Sequence, residues 1–198
     1  LTLAFNIQPV KADWTWTETI YIRADGSVEP DTAPISSVDN ITYTLTDNIV
    51  GVPTDASAIV VERDNIVLDG KGRKVQGGGS GTGILLPDRS NITIKNVNVI
   101  VFRCGINLSG SSNSSISGNN ITNNNGCGIG LYYSSNNSIS GNNITNNGGG
   151  ILLIGSSNTS ISGNNITDNN GDGIHLYDSS NNSVTGNNIT ANDWDGIA

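Results

Sequence analysis

Apolar positions in this chain come singly or in pairs and alternate with polar ones. Ile129 and Leu131 flank Gly130, and Ile174 and Leu176 flank His175. Ile116 stands between Ser115 and Ser117, and Ile121 between Asn120 and Thr122. Period-two alternation in such short pieces predicts short strands, and the Gly/Asn clusters between them predict tight turns. No ten-residue segment carries a 3.6-residue period, so no helix is predicted.

The same short pattern recurs. Ser111–Thr122, with the sequence SSNSSISGNNIT, returns at Ser134–Thr145, Ser156–Thr167 and Ser179–Thr190, at spacings of 23, 22 and 23 residues. Degenerate copies precede these at Asp88–Gly110 and Arg63–Pro87. Gly-Ile pairs keep the same beat, from Gly83-Ile84 through Gly105-Ile106, Gly128-Ile129, Gly150-Ile151 and Gly173-Ile174 to Gly196-Ile197. Three short strands in each repeat of 22–23 residues make one coil of a right-handed parallel β-helix. Its coils stack at the inter-strand spacing of about 4.8 Å. The Leu-x-x-Leu-x-Leu frame of leucine-rich repeats and the calcium-binding Gly-Gly-x-Gly-x-Asp nonapeptide are both absent from the sequence.

Stacking turns the repeat into columns. Ile94, Ile116, Ile139, Ile161 and Val184 fall on one inward line. Val99, Ile121, Ile144, Ile166 and Ile189 fall on a second, and Leu108, Leu131, Leu153 and Leu176 on a third. One coil cannot bury its few aliphatics alone, whereas stacked coils form a continuous core. Each buried Ile or Leu then contributes about 1.5–3 kcal/mol. Asn119, Asn142, Asn164 and Asn187 read as a turn column, and Asn120, Asn143, Asn165 and Asn188 as another, because Asn tolerates the left-handed backbone of a sharp corner. The stacked amides are also expected to hydrogen-bond along the axis as a ladder.

Three segments follow from this reading. Residues 1–12 resemble the tail of a secretory signal ending at Val10-Lys11-Ala12. Residues 13–62 form an N-terminal cap with the first irregular coils, and 63–198 carry the β-helix repeats. The last repeat breaks off inside the strand that Gly196-Ile197 begins, so further coils or domains are expected beyond Ala198.

Composition narrows the function classes. Aromatic residues make up 5% of the chain, so a core built on large anchors is excluded. The net charge is −8 and no Lys or Arg follows Arg103, which removes the basic patch that a nucleic-acid binder needs. No apolar run is long enough for a helical membrane span.

Asp64-Asn-Ile-Val-Leu-Asp-Gly-Lys-Gly72, Asn91-Ile-Thr-Ile-Lys-Asn96 and the SSN-x-SISGNNIT repeats together resemble the NosD-like right-handed parallel β-helix family of the pectin-lyase-like superfamily. They are also similar to the large repeat proteins of archaeal cell surfaces. The resemblance spans residues 58–198. It implies a secreted or cell-surface protein that handles carbohydrate, and a namesake branch tied to periplasmic copper delivery. It carries no catalytic motif onto this sequence.

Several groups are candidates for chemistry. Copper wants Cys, Met or His, and the chain has no Met, one His (His175) and two Cys. Cys104 and Cys127 precede Gly-Ile pairs on adjacent coils, which places them side by side, either as a disulfide or as a stacked thiol pair. Asp172 and Asp195 share that column one and two coils further on from Gly149, with Asp168, His175, Asp178 and Asp193 near by. Paired carboxylates beside a His suit glycoside hydrolysis, or two Asp share a calcium ion; otherwise Asp simply suits a turn before Gly. Ser115, Ser138 and Ser160, with Ser117, Ser140 and Ser162 two residues on, form an outward hydroxyl lattice of about 4.8 by 7 Å that matches a polysaccharide or ice. Asn-x-Ser/Thr sequons recur, among them Asn40, Asn91, Asn107, Asn113, Asn120, Asn143, Asn165 and Asn188. Burial is expected to protect the Asn120 column from modification.

The sequence therefore predicts an exported cell-surface repeat module, a rigid acidic rod that spaces domains and contacts glycans. A polysaccharide hydrolase or lyase is the alternative, and a copper-delivery accessory protein the second. An enzyme is expected to need an inserted loop to build a cleft, and the repeats have none.

Overall fold

The computed structural model describes residues 15–198; the segment read as a signal remnant, 1–12, lies outside them. The described residues form a parallel β-helix of short strands, with no helix among them. Among the described residues no helix is long and apolar enough to cross a membrane. Each regular coil contributes one strand to each of three sheets. The coil of the first full repeat, for example, supplies Cys104–Ser109 to the first sheet, Ser115–Ser117 to the second and Asn120–Thr122 to the third.

The columns have the register that the repeat demands. Ile116 pairs with Ile94 and Ile139, Ile161 with Ile139 and Val184. Ile121, Ile144, Ile166 and Ile189 stack on Val99. Leu108, Leu131, Leu153 and Leu176 stack in the first sheet. These side chains belong to one continuous core that runs the length of the rod. Towards the N-terminus the same sheets continue less regularly. Ile20–Ile22 pairs with Ile59–Val61, and Thr42–Leu45 with Val67–Asp69, both in parallel. Two antiparallel strands, Val28–Glu29 and Ile35–Ser36, finish the edges. Tyr43, fully buried, donates its hydroxyl proton to the Gly26 carbonyl at 2.8 Å and fills the core end there.

The asparagine columns differ from the sequence reading. Asn119, Asn142 and Asn164 are buried, and neither they nor Asn187 have a left-handed backbone. The left-handed positions are the glycines just before them, Gly118, Gly141, Gly163 and Gly186, each with φ of 63°. The asparagine side chain therefore turns inward and serves the backbone of the neighbouring coils. Asn142 Oδ1 accepts from the Asn119 amide and from Asn119 Nδ2, both at 3.0 Å. Its own Nδ2 donates to the Ile116 carbonyl at 2.9 Å. A second ladder, Asn124, Asn147 and Asn169, all buried, ending on the half-buried Asn192, repeats this pattern at the next corner. The Asn120 column is not at a turn either. It opens the strands of the third sheet and is half-buried to exposed, with an outer ladder in which Asn143 Nδ2 donates to Asn120 Oδ1 at 2.7 Å. A single corner asparagine inside a globular protein leaves amide groups unpaired. A stacked one finds a donor and an acceptor above and below, which is why burial costs little here.

Candidate functional site

The outer surface of the first sheet carries an open groove of about 840 Å3. The strands there are the longest in the molecule, up to six residues, so two outward columns fit on the sheet. One floor column runs Asn107, Gly130, Leu152, His175. The other runs Cys104, Cys127, Gly149 and then Asp172. At Gly130 any side chain would be crowded out: a Cβ would lie 2.9 Å from the Tyr132 ring and 3.1 and 3.3 Å from the two cysteine sulfurs. The floor is therefore low in its middle.

One wall explains the groove. The corner before the first sheet reads Arg103, Gly126, Gly148, Gly171, Trp194 at the repeat spacing. Three glycines leave the wall open, and an arginine and a tryptophan stand at its ends, roughly 19 Å apart at four coil spacings. Asn125 and Asn170 line the same side. Tyr132 and Tyr133 form the opposite wall. Tyr133 is 75% exposed and Trp194 74%, large apolar surfaces left in solvent on the rims of one groove. The groove needs no inserted loop, which corrects the expectation that a cleft would require one.

The predicted site residues separate into those the fold brings together and those it does not. His175 Nδ1 lies 2.8 Å from Asp172 Oδ2. With an ionised carboxylate as partner, Nδ1 carries the proton and donates, which leaves Nε2 unengaged on a ring that lines the groove. Asp172 is nearly buried, and its other oxygen accepts from the Asp195 backbone amide at 3.0 Å. Asp195 thus supports Asp172 through its main chain, while its own side chain is exposed. Among the described residues no group of three or more His, Cys, Asp or Glu is arranged to hold a metal ion. Cys104 and Cys127 are joined as a disulfide, with their Cα atoms 4.7 Å apart, beneath the groove. Ser115, Ser117, Ser138, Ser140, Ser160 and Ser162 lie in register on the second sheet, away from the groove. The groove itself escaped the sequence reading. Its signal was present in the wall column, where an alignment of repeats shows three glycines between Arg103 and Trp194.

The sequence model of the family described as "Periplasmic copper-binding protein (NosD)" matches residues 34–198. A search of curated proteins finds no significant match. Among solved structures, a mutant of the periplasmic alginate epimerase AlgG is similar over 78% of this chain and 45% of its own, with 18% identity and a TM-score of 0.55. The enzymatically active domain of tailspike protein 2 from bacteriophage CBA120 is similar over 78% of this chain and 36% of its own, with 15% identity and a TM-score of 0.53. The chain spans less than half the length of either structure, and at these identities the likeness shows the fold alone. Copper, which the family description names, does not fit the donors present. The chain has no methionine, its two cysteines are joined to each other, and its one histidine is paired with Asp172.

Proposed function

The chain belongs to the NosD family, and on that premise we propose that it is an exported β-helix module whose groove holds a glycan chain along the rod axis. The observation that carries this reading is the pair of exposed aromatic rims, Tyr133 and Trp194, on a groove whose polar lining includes asparagine amides, the Asp172 carboxylate, the His175 imidazole and the Arg103 guanidinium. Aromatic faces cover the apolar face of a sugar ring, and the polar groups between them take its hydroxyls. The uniform coils support a rigid spacer role as well. Charge sets the preference among glycans. Five carboxylates and no Lys or Arg follow Arg103, so a neutral chain is favoured over a polyuronate such as alginate.

The test is a polysaccharide array probed with residues 13–198, with and without calcium. Neutral glycans should bind, and Trp194→Ala or Tyr133→Ala should weaken binding roughly tenfold or more. Binding untouched by both substitutions, or none at all, would overturn the reading. Binding that requires calcium and disappears in Asp172→Ala/Asp195→Ala would replace it with a metal-dependent site.

A second reading rests on the His175–Asp172 hydrogen bond inside the groove. A carboxylate that fixes the tautomer of a histidine leaves Nε2 as a general base or acid towards a bound sugar. New reducing ends or altered sugar stereochemistry in a bound glycan, abolished by His175→Gln, would establish catalysis. A bound glycan recovered unchanged would leave a binding module.

A further inference from the structure

Eight sequons of this chain fall into two structural classes; Asn40 and Asn107 belong to neither, and Asn91, in register with Asn113, commits its Nδ2 to Asn65 Oδ1 at 2.9 Å. Asn120, Asn143, Asn165 and Asn188 belong to the outer ladder. Asn143, Asn165 and Asn188 each commit Nδ2 to the oxygen of the preceding coil, at 2.7, 2.8 and 2.7 Å. The second class lies one corner earlier, between the first and second sheets. There Asn113, Asn136, Asn158 and Asn181 stack at the repeat spacing, each followed two residues later by Ser115, Ser138, Ser160 or Ser183. The sequence reading noted only Asn113 of these four. All four are exposed and left-handed, with φ of 55–59°, so the side chain projects from the corner. None of the four amide side chains hydrogen-bonds within the protein, and neither do the four serine hydroxyls, among the described residues. Amide and hydroxyl together are the two groups that an N-glycosylating transferase must engage.

We propose that this corner column is the N-glycan acceptor row of the protein, and that the Asn120 column is not modified. The donor is an oligosaccharide on a lipid diphosphate. The asparagine Nδ2 forms a bond to C1 of the first sugar while the C1–O bond to phosphate breaks. The lipid diphosphate leaves with that electron pair, and the amide releases one proton to the transferase. Spacing limits occupancy. Neighbouring corners are separated by about 4.8 Å, less than the width of a branched sugar, so glycans should not occupy two successive coils of one molecule. The inference rests on export of the chain and not on its binding a glycan in the groove.

The experiment isolates the exported chain from its native cells and reads its peptides by tandem mass spectrometry, before and after enzymatic glycan release in H218O. Glycan is expected on Asn113, Asn136, Asn158 or Asn181, never on adjacent members of one molecule, with the Asn120, Asn143, Asn165 and Asn188 peptides bare. Ser138→Ala, which spares the asparagine and the core, should abolish modification at Asn136 and leave the other corners modified. An exported chain with bare corner peptides, or with glycan on the Asn120 column, overturns the proposal. A chain retained inside the cell refutes the export reading instead, and a glycan array repeated on the same material reports on the groove independently.

Discussion

Asn142 satisfies four groups on two neighbouring coils. Its Oδ1 accepts from the Asn119 amide and side chain, and its Nδ2 donates to the Ile116 carbonyl and to Asn164 Oδ1. Asn142→Ala strands the Asn119 amide in the interior, at about 1–3 kcal/mol, and removes three further buried hydrogen bonds, to Asn119 Nδ2, the Ile116 carbonyl and Asn164 Oδ1, at about 0.5–1.5 kcal/mol each. A loss of about 2–5 kcal/mol in urea unfolding is therefore expected. Asn143→Ala, one residue on, removes two outer ladder bonds, to Asn120 and from Asn165, whose groups can turn to water instead, and should change stability by about 0.5 kcal/mol or less. Equal losses at the two positions would show that the inner ladder contributes nothing special. A third ladder shows a flaw that can be repaired. Ser114 N donates to Asn137 Oδ1 at 2.9 Å, and Thr159 N to Asn182 Oδ1 at 2.8 Å, but the intervening buried Thr159 Oγ1 has no partner. Thr159→Asn supplies the amide its column neighbours use and should raise stability by about 1 kcal/mol, read as a higher urea midpoint with an unchanged slope.

At the scale of the strand, Asp69 ends Val67–Asp69 with its side chain buried. Burial by itself pushes its carboxyl upward. The Lys71 amide at 3.0 Å, the Lys71 ammonium at 3.1 Å and Asn96 Nδ2 at 3.2 Å outweigh that and hold it below the ordinary aspartate range. Lys95 adds a second ammonium at 3.6 Å. A depressed carboxylate stabilises the fold fully above its unfolded pKa of about 4, and that stabilisation is lost as the pH falls through the folded value. Asp69→Asn should therefore be less stable than the parent at pH 7, with the gap closing as the pH falls below about 4. Urea titrations at the two pH values measure it, and a gap that stays constant would remove Asp69 from the acid response. The strands and their columns were legible in the sequence because aliphatic residues at a fixed spacing admit one stacking register. The depth of the asparagines was not. A single Gly-Asn corner reads as a solvated turn, and only stacked coils supply partners that make its burial cheap. The groove was hidden for a related reason: Gly126, Gly148 and Gly171 shape it by what they lack. The Asp172–His175 pair was half legible, since the spacing placed both residues in the outward columns but did not show that Asp195 reaches Asp172 through its main chain.

The described residues form a stack in which the strands of each coil pair with those of the coils beside it, and stability follows from that dimension, with Asn125 Nδ2 reaching the Gly79 carbonyl two coils back at 2.7 Å. Unfolding of one coil removes two interfaces and leaves distant coils with all of theirs. Ile139 sits at the middle of its column, fully buried between Ile116 and Ile161. Ile139→Ala leaves a cavity there and should cost about 2–5 kcal/mol. In a globular domain that loss spreads over the entire fold. Here amide hydrogen exchange should rise steeply in Ser115–Ser117, Ser138–Ser140 and Ser160–Ser162. The coil around Tyr43, several interfaces away, should keep its protection, because none of its contacts has changed. The disulfide bounds the effect on the N-terminal side, since it ties the coil that holds Ile139 to the coil that holds Ile116 and limits how far these two can separate. Under reducing conditions the exchange front should therefore move towards the N-terminus past Cys104, into Thr93–Lys95. Uniform deprotection from Tyr43 to Ile166 in the oxidised protein would show one cooperative unit and defeat the nearest-neighbour account.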